Sequence, residues 1–266
     1  MTGPQADGTG QVMRELDVAA RDALAELLLS VADDEFVIGS WDSEWTGIAP
    51  MLEEDVATSS IAQDEIGHAR AIYELLATLT GDDADRIAYG READAYRHAA
   101  LLNHRRGDWA FSVARRWLYE TADAVRLAAL ATSTCEPLAV LAGKMRREET
   151  YHRMHADAWL SRLAGGDHDV RQRLAEALGR LWPDAQQVFA PLGGEETLMR
   201  AGILPQRMSA LHAEWLGVVR PVLEPIVGAL PDAAPSPDGR ATRTDDFGWL
   251  HGELTMVGAA DREARW

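Results

Sequence analysis

The sequence predicts an all-α fold, on three observations. Ala, Leu, Arg and Glu dominate from about Met13 onward, while β-branched alternation is scarce. Apolar residues recur at steps of three and four over long stretches. Four such stretches are paired by a short first link and a longer second one, the layout of a helical bundle. The first long helix is expected at about 14–39 and the second at about 52–79. Between them lies GSWDSEWTGIAP, whose Trp41, Trp45 and Pro50 mark a packed loop rather than a linker. A shorter helix is expected at 83–104, then long helices at about 109–133 and 136–164. These four long helices form the predicted bundle core, about 14–164. A C-terminal helical extension, about 168–266, follows with helices at 168–190, 194–202 and 205–229. Pro221 and Pro225 should end or kink the last of these. Residues 231–246 are rich in Pro, Gly and Ser and read as a loop, and a helix at about 247–264 closes the chain. Residues 1–12 are expected to be disordered, and 13–266 to form a single domain.

Composition narrows the function classes. The 266 residues carry 26 Lys and Arg against 43 Asp and Glu, a net charge of −17. An acidic balance this strong argues against nucleic acid or an anionic membrane as the partner, since both need Lys/Arg surfaces. The single cysteine, Cys135, excludes an intrachain disulfide and a multi-thiolate metal site. No apolar run reaches the ~18 residues of a membrane span. The N-terminal residues show neither a basic nor an apolar signal region, so the expected location is cytoplasmic.

The informative residues are charged ones inside apolar seams. The second helix places Ile61, Glu65, His68, Ile72, Leu75 and Leu79 on one stripe. The fourth places Leu138, Ala142, Met145, Glu149, His152, Ala156, Trp159 and Leu163 on another. The third seam reads Val113, Trp117, Glu120, Ala124, Leu127 and Ala131, and the first reads Leu24, Leu28, Val31, Glu35 and Ile38. Two helices thus offer a lone Glu and two offer Glu-x-x-His. A carboxylate buried alone costs several kcal/mol, so four of them with two imidazoles require a compensating charge. Two divalent or trivalent metal ions supply it. The pattern is the ligand set of di-iron and di-manganese carboxylate bundles. Spacing i, i+3 puts both side chains of Glu-x-x-His on one face. Carboxylate oxygens suit hard Fe(III) and can bridge two ions, while each imidazole adds a neutral nitrogen. Glu35 and Glu65 lie 30 positions apart, and Glu120 and Glu149 lie 29 apart, which fits two hairpins returning to the same level. The metal ligands expected are therefore Glu35, Glu65, His68, Glu120, Glu149 and His152, holding two iron ions or, alternatively, manganese.

Asp64 and Glu148 occupy matching places, each four residues before a ligand histidine. A carboxylate at i−4 can accept the free imidazole N–H and fix its tautomer, so Asp64 is expected to serve His68, and Glu148 to serve His152. His155 is read as a solvated or supporting residue. The Arg pairs at 105–106, 115–116 and 146–147 are assigned to solvated faces.

The chain also resembles a known family. The stretch from Asp34 through Glu44-Trp45 and Ala49-Pro50 to Asp64-Glu65-Ile66-Gly67-His68-Ala69-Arg70 is similar to the phenylacetate-degradation protein C family. So are Ala114-Arg115, Tyr151-His152, Trp159-Leu160, Arg162-Leu163 and Trp266, and the resemblance runs over about residues 20–266. It implies a ferritin-like fold. It also implies a place in a multicomponent phenylacetyl-CoA epoxidase, in which a distinct di-iron component inserts an oxygen atom into the aromatic ring. The implied partners are a flavin/iron–sulfur reductase, an aromatic acyl-CoA and a ferritin-like partner protein, in a homo- or hetero-oligomer. Well-known members of the protein C family are structural partners with a degraded metal site. This sequence departs from that pattern by keeping all six ligand residues. Three readings follow: a metal-retaining component of an aromatic acyl-CoA monooxygenase; a structural partner that turns nothing over; and a ferroxidase or manganese-catalase-like protein. The additional C-terminal residues disfavour the third.

Overall fold

A computed structural model of the chain describes Met13 and residues 16–260. The expectation for residues 1–12 lies outside them. Helices account for most of the described residues, and no strand occurs among them. The long helices are α1 (Val18–Ser43), α2 (Leu52–Thr80), α4 (Trp109–Leu130) and α5 (Glu136–Ala164), with the short α3 (Ala84–Tyr89) between the pairs. The C-terminal part adds α6 (His168–Ala185), α7 (Glu195–Arg200), α8 (Met208–Val227) and α9 (Asp245–Ala260). The bundle has the ferritin-like arrangement, with α1–α2 and α4–α5 as its two hairpins.

Local chemistry sets the helix ends. Asp17, Asp108 and Asp167 cap α1, α4 and α6 by accepting the N–H of Ala20, Phe111 and Val170. Glu53, Glu54 and Asp55 crowd the first turn of α2, where the helix dipole favours negative charge. Gly81 ends α2 at φ 79°, a left-handed turn that a side chain resists. Helix α1 runs four residues past the expected end at 39, so Trp41 is helical. Its indole donates to the Leu102 carbonyl at 2.9 Å.

Three expected elements change form. The expected 83–104 helix is instead α3 followed by two single 3₁₀ turns, Ala93–Ala95 and Ala100–Asn103. The extended backbone between them frees the amides of Arg97 and Ala99, which donate to Asp33 and Asp34. The expected 168–190 helix tightens to 3₁₀ at Gln186–Phe189. Helix α8 runs unbroken through Pro221 and Pro225. Both prolines face solvent, and the buried stripe Met208, Leu211, Trp215, Val219 and Leu223 holds the helix down.

Helix α4 is central. It packs on α5, α6 and α8, and only a few of its residues reach solvent. Trp182 and Trp215 stack behind it at 5.5 Å, and the Trp215 indole donates to Thr121 Oγ1. This enclosure buries Arg115, Arg116 and Arg126. The expectation that Arg115 and Arg116 lie on a solvated face is therefore wrong; Arg146 and Arg147 do lie on one.

Candidate metal centre

The seams converge at mid-bundle. Glu35 comes from α1, Glu65 and His68 from α2, Glu120 from α4, and Glu149 and His152 from α5. All six are buried. They form two groups, Glu35, Glu65, His68 and Glu149, and Glu65, Glu120, Glu149 and His152. Within each group one donor atom per residue lies within 4.8 Å of the others. Glu65 and Glu149 belong to both groups.

The donors point inward. His68 Nδ1 lies 3.2 Å from Glu35 Oε2 and 3.3 Å from Glu149 Oε1. His152 Nδ1 lies 3.4 Å from Glu65 Oε1 and 3.3 Å from Glu149 Oε1. The imidazole rings stand 6.2 Å apart. Five inward atoms have no hydrogen-bond partner among the described residues: Glu65 Oε2, Glu120 Oε2, both carboxylate oxygens of Glu149, and His152 Nδ1. Unsatisfied buried acceptors facing a common point are what a cation would satisfy. The donor set, hard carboxylates with one imidazole in each group, fits two metal ions of the iron or manganese type.

The outer sides of the ligands are braced. Tyr119 donates to Glu35 Oε1 at 2.6 Å, and Arg126 donates in turn to the Tyr119 oxygen. Arg116 donates to Glu120 Oε1 at 2.7 Å and meets Asp42 with its other amine. The histidine partners exchange relative to the expected pairing. His68 Nε2 contacts Glu148 at 2.8 Å, and His152 Nε2 contacts Asp64 at 3.3 Å. The i−4 carboxylates sit on the half-exposed outer seam between α2 and α5, where the facing helix brings each nearer to the other's histidine. His155 pairs with Glu54 at 2.7 Å, in a supporting position.

Electrostatics follow from burial without a cation. Desolvation first, then the neighbouring Glu149 charge, pushes the carboxyls of Glu65 and Glu120 well above the ordinary range. Burial opposes charging of His68 and His152, but the surrounding carboxylates prevail and raise both. Burial would also raise Glu149, yet contacts with the two histidines hold it below the ordinary range. The metal-free cluster thus keeps protons in place of ions.

Sequence reasoning missed a second buried layer. Asp34 accepts from Arg126, Arg240 and the Ala99 amide, and Asp33 pairs with Arg91 and accepts from Tyr73. Asp123 pairs with Arg126. The signal available was the run of three consecutive acidic residues, Asp33, Asp34 and Glu35, inside an otherwise apolar helix. A cavity of about 20 Å³ lies against Arg116, walled by Trp45, Trp109, Trp159 and His155. That is room for about one water molecule.

Two relatives are similar in sequence, subunits C and A of the 1,2-phenylacetyl-CoA epoxidase of Escherichia coli K12. The chain is 29% identical over 193 residues to the C component, covering 72% of this chain and 77% of the relative. It is 27% identical over 176 residues to the A component, covering 65% of this chain and 56% of the relative. The family described as phenylacetic acid catabolic protein matches residues 12–266, and the chain belongs to that family.

Proposed function

We propose that the chain is a metal-retaining component of a phenylacetyl-CoA epoxidase system, with an aromatic acyl-CoA as substrate. A flavin/iron–sulfur reductase and a ferritin-like partner protein would complete it. The observation that carries this reading is the inward cluster of unsatisfied carboxylate and imidazole donors in a chain similar to both epoxidase components. Glu35, Glu65, His68, Glu120, Glu149 and His152 would hold the metals. Two iron ions held there would supply dioxygen activation for oxygen insertion into an aromatic ring.

The chain's own residues set the conditions. Glu65 and Glu149 reach both halves of the cluster. Glu148 and Asp64 take the outer Nε2 side of the histidines, which leaves Nδ1 as the inward donor. Tyr119 and Arg116 each hold one oxygen of a terminal glutamate, leaving the other for an ion. The indoles of Trp45, Trp109 and Trp159 line the small space on the outer side of Arg116.

A second reading, a structural partner that turns nothing over, is favoured by the size of that cavity. Benzene needs about 150 Å³, and the space beside the cluster is about 20 Å³. Metal analysis separates the two. The chain is purified without chelator from iron-supplied cells and analysed by plasma mass spectrometry. Retained iron that Glu65→Ala abolishes supports the metal-retaining reading. No metal after anaerobic Fe(II) addition would leave the structural reading.

A further inference from the structure

We propose that Arg116 makes the two metal sites unequal. The Glu35, Glu65, His68, Glu149 group takes a divalent cation tightly, and the Glu65, Glu120, Glu149, His152 group takes its own weakly. The inference rests on the metal-binding reading above and adds an order of filling to it.

Among the cluster residues, Arg116 stands closest to Glu120, which belongs to the second group alone. Its Nη1 lies 2.7 Å from Glu120 Oε1 and 3.5 Å from the shared Glu65 Oε1. Its Nη2 meets Asp42, but Asp42 also serves Arg115 at 3.3 Å. Two buried guanidinium groups therefore share one aspartate. The next carboxylate outward, Glu44, is shared between Arg106 at 3.6 Å and Arg115, so Asp42 and Glu44 face the three guanidinium groups of Arg106, Arg115 and Arg116. Positive charge is left over, directed at Glu120.

The opposite end differs. Arg126 comes within 3.7 Å of Glu35 Oε1 but makes no hydrogen bond to it. A neutral phenol, Tyr119, stands between them, and Arg126 is hydrogen-bonded to both Asp34 and Asp123. Glu35 thus accepts from a phenol, and the guanidinium 3.7 Å from it is matched, since Arg126 and Arg240 together meet two carboxylates, Asp34 and Asp123. Glu120 accepts directly from a guanidinium. A divalent ion near Glu120 is repelled by a guanidinium a few ångströms away, which at an effective dielectric of about 20 weakens binding by more than about tenfold. Each of the two glutamates has one oxygen engaged, Glu35 by Tyr119 and Glu120 by Arg116, so the charge of the donor is what distinguishes the groups.

Titration of the metal-free chain with Mn(II) tests this, with bound ion counted by mass spectrometry and free ion by its electron paramagnetic resonance signal. The expected isotherm shows one tight ion per chain and a second at least about tenfold weaker. Arg116→Met should bring the second affinity close to the first, while Arg116→Lys, which keeps the charge, should leave them split. His152→Ala should keep the tight ion, and His68→Ala should lose it. Two equal ions in the unaltered chain would overturn the proposal, as would a tight ion that depends on His152 rather than His68. Should Arg116→Met fail to fold by circular dichroism, the unaltered chain and the histidine variants decide the matter. Absence of any bound ion in the unaltered chain would instead overturn the metal-binding reading, and this inference with it.

Discussion

His68 turns its Nε2 to Glu148 on the facing helix, at 2.8 Å, and not to Asp64 one turn away on its own helix. Asp64 in turn reaches His152, at 3.3 Å. The exchange makes each histidine a cross-link between α2 and α5, so the orientation of a ligand ring depends on how the two hairpins meet.

Removing the better of these partners should loosen metal binding without unfolding the chain. Glu148→Ala is expected to lower metal affinity by about 10- to 100-fold, because the ring loses its fixed tautomer and orientation. Asp64→Ala, at the longer contact, should cost less. Competition with a calibrated chelator measures both; equal affinities in the variants and the unaltered chain would refute the role.

Metal uptake should release protons. Glu65 and Glu120 hold theirs well above the ordinary carboxylate value of 4.5, and His68 and His152 hold theirs above 6.5. Ions must displace those protons, so affinity should rise with pH. The metal-free fold carries the matching sign. Groups bound more tightly to protons in the folded state contribute stability at low pH, and that stability is lost as pH climbs past 4.5 for the two carboxyls and 6.5 for the imidazoles. Asp34 and Glu149, held below their ordinary values, oppose this only in acid. Calorimetry in buffers of different ionisation enthalpy reads the protons directly. Below pH 6.5 the burial that lowers His98, His155 and His212 opposes the trend, so thermal melts of the metal-free chain from pH 6.5 to 8 should show the falling midpoint.

Gly39 is required by the approach of α1 to α2. A Cβ built there would sit 2.9 Å from Glu65 Cβ and 3.0 Å from the Ala62 carbonyl. Gly39→Ala should cost about 1–3 kcal/mol in urea unfolding. On the metal-binding reading it should also reduce bound metal, since the displaced Glu65 belongs to both donor groups. Normal metal content in a destabilised variant would show that α2 shifts without moving the Glu65 carboxylate.

Asp34→Ala leaves Arg126 and Arg240 without a carboxylate they share in a buried setting. Breaking a buried pair from one side costs about 3–5 kcal/mol. A loss below about 1 kcal/mol in chemical denaturation would mean that Asp123 and backbone carbonyls suffice for both arginines.

The bundle and its six inward residues were legible because burial and helical period are local. Glu65 and His68 fall in register with Ile61 and Ile72, and Glu149 and His152 with Met145 and Ala156. Iron itself, as opposed to another divalent ion, is not written in those residue types. Arg115 and Arg116 were misread because arginine on a helix normally faces water; here α4 has helices on every side, and the counter-charge Asp42 comes from α1. The histidine partners were misassigned for the same reason, since i−4 spacing describes one helix and the contact is made by the other. Arg240 lay beyond sequence reasoning entirely: it meets Asp34 from 206 positions away, out of a segment that reads as loop.

That last contact has a temporal consequence. Asp34 immediately precedes Glu35, and its carboxylate is gripped by a residue translated after all of the bundle helices. Both hairpins are therefore synthesised before Asp34 can gain the second of its two arginines. N-terminal parts fold first during synthesis, so the grip of Arg240 on Asp34 is among the later contacts to close.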